Sequence, residues 1–136
     1  MRLVVDTNVL VSALLLERSP PARLLAAWRR GRFVLLTAAP QLEELRRVTR
    51  YPRIKARLRP ALAGELVNQL RDLAETIAPL PRVDISPNPF DNHLLAIAQA
   101  GQADVLVSGD RQHLLELTKV GTCRIVTVGN MLAELE

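Results

Sequence analysis

Four acidic side chains are placed where a metal or a proton would find a use for them. Asp6 interrupts an apolar run, Val4-Val5-Asp6-Thr7-Asn8-Val9-Leu10, and Asp110 closes the turn Ser108-Gly109-Asp110 after a second one. Asp91 follows Asn88-Pro89-Phe90, and Glu44 stands beside Glu43 in a helix-forming stretch. Taken singly, each has an ordinary use. Asp6 reads as the cap of a helix beginning near Asn8, or as an Asx turn. Asp91 reads as the third helical residue behind an Asn88 cap and Pro89 at the first position. Asp110 suits a turn and Glu44 a helix surface. If the four converge, they cannot all be ionised and unpaired, because like charges within ~4 to 6 Å raise one another's pKa. A divalent cation removes the conflict. An all-oxygen set without clustered His or Cys suits Mg²⁺ or Mn²⁺ rather than zinc. His93 and His113 read as helix-face residues rather than ligands.

The elements that would have to gather these acids are visible in the hydrophobic pattern. Short β-branched or leucine-rich runs at residues 3–5, 33–36, 104–107 and 124–128 predict buried parallel strands. Helical patterns cover about 21–30, 38–49 and 90–100, and Leu62, Leu66, Leu70, Leu73 and Ile77 form one seam of another. Alternating strands and helices predict a three-layer α/β/α sandwich around a mainly parallel sheet of four to five strands. Pro79, Pro81, Pro87 and Pro89 hold a long loop out of helix, expected to cross over the sheet. In open α/β sheets, sites form beyond the carboxyl ends of the strands. Asp6 and Asp110 follow two of the predicted strands, Asp91 opens a helix, and Glu44 lies in the second turn of the helix after residues 33–36. At ~100° per residue, Leu42, Leu45, Val48 and Thr49 define a buried stripe with Glu44 at its flank and Glu43 opposite. Glu43 has Arg46 and Arg47 at the spacing of an exposed ion pair, so Glu44 is the better ligand.

At 136 residues and 49% apolar composition, the chain is expected to form one globular domain. The apolar run of residues 9–16 is short of the roughly 20 residues of a membrane span. No signal peptide is expected, because Asp6 falls where its apolar region should begin. One cysteine, Cys123, excludes an internal disulfide and suits the cytoplasm. The net charge of +4 hides an asymmetry: residues 18–59 hold 12 Arg or Lys against two acids, and the rest of the chain six against 12. Arg46, Arg47, Arg50, Arg53, Lys55, Arg57 and Arg59 are the densest part of this basic segment, which reads as a surface for a polyanion or as a solvated helical face. Aromatics, at 3%, are too few for a base-stacking sheet.

On these residues the chain resembles a PIN domain, the metal-dependent ribonuclease fold of VapC-type toxins. The likeness runs over essentially the whole chain. Its strongest parts are Val4-Val5-Asp6-Thr7-Asn8, Glu44-Leu45, Asp91-Asn92-His93-Leu94-Leu95-Ala96-Ile97-Ala98 and Val107-Ser108-Gly109-Asp110. The resemblance implies that Asp6, Glu44, Asp91 and Asp110 hold Mg²⁺ or Mn²⁺, with Thr7, Asn88 and Ser108 around them. It is closest to the toxin-component branch, in which Asp-Pro-x-Asp-Asn is common. Here Asn88 takes the first position, offering a carbonyl oxygen but no charge, and Ser108 replaces the more usual threonine. The implied activity is RNA phosphodiester hydrolysis leaving a 5′-phosphate, in a homodimer with an antitoxin as partner. The alternative is a PIN-like protein that binds RNA or a partner without cleaving. A haloacid-dehalogenase-like phosphatase is disfavoured because Asn8 stands where its second aspartate belongs. A phosphoacceptor receiver is disfavoured because no lysine follows the last strand. A ribonuclease working through His93 and His113 would survive EDTA, unlike the PIN reading.

Overall fold

A computed structural model describes residues 1–86, 88–109, 117 and 119–135, and all of Phe90 but its side chain. Its elements in chain order are β1 (Arg2–Val5), α1 (Thr7–Leu15), α2 (Pro20–Arg29), β2 (Val34–Thr37), α3 (Ala39–Thr49), α4 (Pro52–Lys55) and α5 (Pro60–Leu73). After these come β3 (Glu75–Thr76), α6 (Pro89–Ala100), β4 (Val105–Val107), β5 (Lys119–Val120), β6 (Cys123–Val126) and α7 (Val128–Leu135). The sheet runs β3-β2-β1-β4-β6-β5, parallel throughout except for β5, which is antiparallel to β6. The four predicted strands are all present. Two two-residue edge strands, β3 and β5, raise the count to six.

Successive strand residues point to opposite faces, and two cores result. Leu3, Val5, Leu35, Val105 and Val107 bury against α1, α2, α3, α5 and α7. Val4, Leu36, Leu106 and Ile125 bury against Leu94, Leu95 and Ile97 of α6. Strands covered on both faces can be apolar at every position, which explains the uninterrupted runs. The loop after β3 and the helix α6 carry the chain across β2 and β1 to β4, the crossing that the prolines predict. Gly101, just past α6, permits a close approach: a Cβ there would lie 2.8 Å from Leu36 Cδ1.

Two expectations need correction. The leucine seam of α5 fails at its end, because the helix stops at Leu73, which is 68% exposed, and Ile77 belongs to the other core. The buried positions are Leu66, Val67 and Leu70. Glu43 is exposed as expected, but among the described residues it forms no ion pair with Arg46 or Arg47. Cys123 is buried and free.

Candidate functional site

The direction of the sheet reverses beside β1: β2 and β3 build outward on one side, β4 and β6 on the other. A crevice at the carboxyl ends of the strands forms at such a reversal. Asp6 leaves β1 there. Its backbone N–H donates to Val107 O at 2.9 Å, continuing the β1–β4 pairing by one residue. Its side chain, on a residue only 5% exposed, caps α1 through Oδ1, which accepts from Asn8 N at 3.1 Å. Oδ2 accepts from the Ser108 hydroxyl at 3.0 Å, and Ser108 is the residue that follows β4. The cap reading and the site reading of Asp6 are therefore compatible.

Asp91 is 4% exposed and lies in the first turn of α6. Its Oδ2 accepts from Ser86 Oγ at 3.0 Å, and the same hydroxyl accepts from Asn88 N at 3.2 Å. Asn92 fixes this approach: its Oδ1 accepts from the backbone of Ile85 and Ser86, and its Nδ2 donates to Ser86 O. Neither Ser86 nor Asn92 stood out in the sequence as a supporting residue. A serine five residues before a helical acid is a signal too common to select.

Glu44 is half-buried on the flank of α3, whose Leu45 is fully buried. Among the described residues its carboxylate has no ion pair and no hydrogen bond. Gln41, one turn earlier and 4% exposed, sets α3 against the strands. Its Oε1 accepts from Thr37 Oγ1 at 2.7 Å, and its Nε2 donates to Val5 O at 2.6 Å. The hydroxyl of Thr7 lies 3.5 Å from the same amide nitrogen, a contact that ties Thr7 to α3. Gln41 thus links the ends of β1 and β2 to the helix that carries Glu44.

Asp6, Glu44 and Asp91, from three separate elements, line one solvent-open pocket of about 630 Å³. Asn88, Arg47 and Tyr51 line it too. Asp110 and His113 lie outside the described residues, while His93 lines a different, smaller hollow of about 450 Å³ beside the proline loop. Of the described basic residues, only Arg47 lines this pocket. Arg46, Arg50 and Lys55 line another, and Arg53 and Arg57 are exposed and line neither.

A family model described as a PIN domain matches residues 2–112. The chain belongs to the PIN-domain family. No curated protein and no solved structure gives a significant match to it. PIN domains are typically nucleases and usually use divalent metals, and the pocket of this PIN domain offers fitting donors. Among the described residues they are the carboxylates of buried Asp6 and Asp91, oriented by serine hydroxyls, beside the half-buried Glu44. That is a hard set of the kind that suits a divalent cation bound through oxygen. Among the described residues, no three of His, Cys, Asp or Glu stand close enough to hold an ion by themselves. Among them, too, no helix is long and apolar enough to cross a membrane.

Proposed function

We propose that this PIN-domain protein is a Mg²⁺- or Mn²⁺-dependent endoribonuclease, the VapC-like toxin of a toxin–antitoxin pair. The observation that carries this reading is the meeting of Asp6, Glu44 and Asp91 at one open pocket, from positions 38 and 47 residues apart in sequence. In the proposal these three, with Asp110 as the fourth, hold the metal. A bound divalent ion supplies an activated water and neutralises charge at the leaving oxygen. The chain's own residues supply position. Ser108 and Asn8 orient Asp6, Ser86 orients Asp91, and Gln41 sets Glu44 against the end of β1. In the proposal Arg47, which lines the same pocket, holds a phosphate of the strand. No side chain has to act as nucleophile.

The test is cleavage of single-stranded RNA with Mn²⁺ or Mg²⁺. The proposal expects products bearing a 5′-phosphate, silence in EDTA and silence in Asp6→Asn. Cleavage that persists in EDTA rejects it. A second reading, a PIN-like protein that binds RNA or a partner without cutting, is favoured by one observation: no three described ligand-type residues stand close enough to share an ion. RNA binding without cleavage at saturating Mn²⁺ would select that reading. In the toxin reading the protein works in the cytoplasm as a homodimer, and a small antitoxin covers the open pocket. Co-purification with the product of a neighbouring gene, together with loss of cleavage in that complex, tests this part.

A further inference from the structure

The basic run does not form one surface. At ~100° per residue, Glu44, Arg47 and Val48 share a flank of α3 and line the acidic pocket. Arg46, Thr49 and Arg50 fall about 180° away on the same helix. With Lys55 of α4 and Asn68 of α5 they line a second cleft of about 360 Å³. Leu58 and Val67, each 6% exposed, give it an apolar, buried wall. Among the described residues, no carboxylate lines this cleft. Among the described residues, Arg46, Arg50 and Lys55 have no ion-pair partner. Thr49 is already committed, its hydroxyl donating to Leu45 O and Arg46 O. The amide oxygen of Asn68 is taken by Arg71, which leaves its nitrogen to donate.

Three like charges around one concavity repel one another unless an anion joins them, and arginine forks match phosphate oxygens. We infer that the cleft between α3, α4 and α5 is a phosphate-binding subsite, filled by the RNA backbone a few nucleotides from the bond that is cut. The source of the phosphate rests on the nuclease reading; the chemistry of the cleft does not. A helix with its side chains is about 10–12 Å across, so phosphates on opposite flanks of α3 belong to different nucleotides. Arg47 at the acidic pocket adds a cation on the opposite flank of α3, and Arg53 and Arg57, exposed on either side of Lys55 in sequence, add two more to the same basic segment. A polyanion with regularly spaced charges suits such a trail better than a single small anion does.

The experiment compares the full chain with Arg46→Ala/Arg50→Ala/Lys55→Ala, all three residues being exposed and removable without opening the core. Labelled single-stranded RNAs of increasing length are titrated in EDTA at several salt concentrations, alongside inorganic tripolyphosphate and a hexaglutamate peptide. A 20-nucleotide RNA should bind the variant about tenfold more weakly. Its salt dependence should be shallower by about two, from three cations at roughly 0.7 each. The penalty should shrink on a trinucleotide. Arg46→Lys/Arg50→Lys should keep the salt slope. Tripolyphosphate should bind the wild type, be lost from the triple variant, and be displaced by the longer RNA. Bound tripolyphosphate that RNA does not displace overturns the assignment to backbone, in favour of a free phosphate-bearing molecule. Equal affinity of wild type and variant for both probes overturns the subsite, as does a penalty independent of RNA length or a preference for hexaglutamate. Failure of the nuclease reading shows separately, as absence of Mn²⁺-dependent cleavage by the wild type.

Discussion

The two carboxylate oxygens of Asp6 accept from different parts of the fold, Oδ1 from the start of α1 and Oδ2 from the residue after β4. This separates its structural contribution from any chemical one. Asparagine caps a helix about as well as aspartate, so Asp6→Asn should unfold at nearly the parent's urea midpoint while losing metal-dependent RNA cleavage. Asp6→Ala removes the cap too and should cost about 0.5–2 kcal/mol in the same unfolding measurement. Cleavage retained by Asp6→Asn would remove this residue from the ligand set. Ser86 acts one step away, holding Asp91 and the backbone of Asn88 through one hydroxyl. Ser86→Ala should shift the Mn²⁺ concentration needed for half-maximal cleavage upward by about 10- to 100-fold, with activity recovering at saturating metal. Cys123 stands apart from this chemistry. Burial, helped by the charge of Asp104, pushes its thiol from 9.0 up to about 11. Between those values the folded chain keeps the proton that the unfolded chain loses, so this group's contribution is intact below pH 9.0 and fades as pH rises through about 11. Denaturant midpoints across that window should fall less in Cys123→Ala than in the parent.

The packing of α3 against β1 and β2 decides whether Glu44 faces the acidic pocket. Gln41 bridges all three elements from a buried position, so an apolar residue there leaves Val5 O without its donor and Thr37 Oγ1 without its acceptor. Gln41→Leu should lower stability by about 1–3 kcal/mol, read from urea unfolding. In the nuclease reading it should also reduce cleavage, although it touches neither metal nor RNA. A variant as stable and active as the parent would show that Leu45 and Leu42 alone hold the helix. Gln41 was illegible in the sequence because its partners lie 36 residues back and four residues back on different strands, and nothing local distinguishes it from a surface glutamine. The four long strands were legible because burial on both faces forces continuous apolar runs such as Leu3-Val4-Val5. Glu75-Thr76 and Lys119-Val120 were not, since edge strands of two residues are set by their neighbours' free backbone rather than by their own side chains. Ile77 misled because a helical period extrapolates past Leu73, the residue where the helix ends. The gathering of Asp6, Glu44 and Asp91 was legible through their places after a strand, in the helix that follows a strand, and at a helix start. The serines that orient them were not, apart from Ser108, because a hydroxyl leaves no periodic trace.

At the scale of the molecule, the switch in strand order beside β1 brings the ends of β1 and β4 together, and the starts of α1 and α6 and the Glu44–Val48 part of α3 close around them. Two buried carboxylates and a half-buried third therefore share a pocket in a chain whose net charge is +4. Their mutual repulsion is offset when a cation joins them, so the folded state should bind Mn²⁺ while the unfolded chain, with its acids dispersed, should not. Such binding stabilises by mass action: about 2.7 kcal/mol at a metal concentration 100 times Kd. For a chain of this size, at roughly 4 °C per kcal/mol, that raises Tm by about 10 °C. Thermal unfolding followed with increasing Mn²⁺ should show this rise in the parent and lose most of it in Asp6→Asn, whose cap and fold are intact. The readout needs no RNA and no turnover, so it separates a metal-holding pocket from a merely acidic one. A Tm indifferent to Mn²⁺ would leave three carboxylates that line a pocket without chelating, and the non-cleaving reading would take precedence over the nuclease.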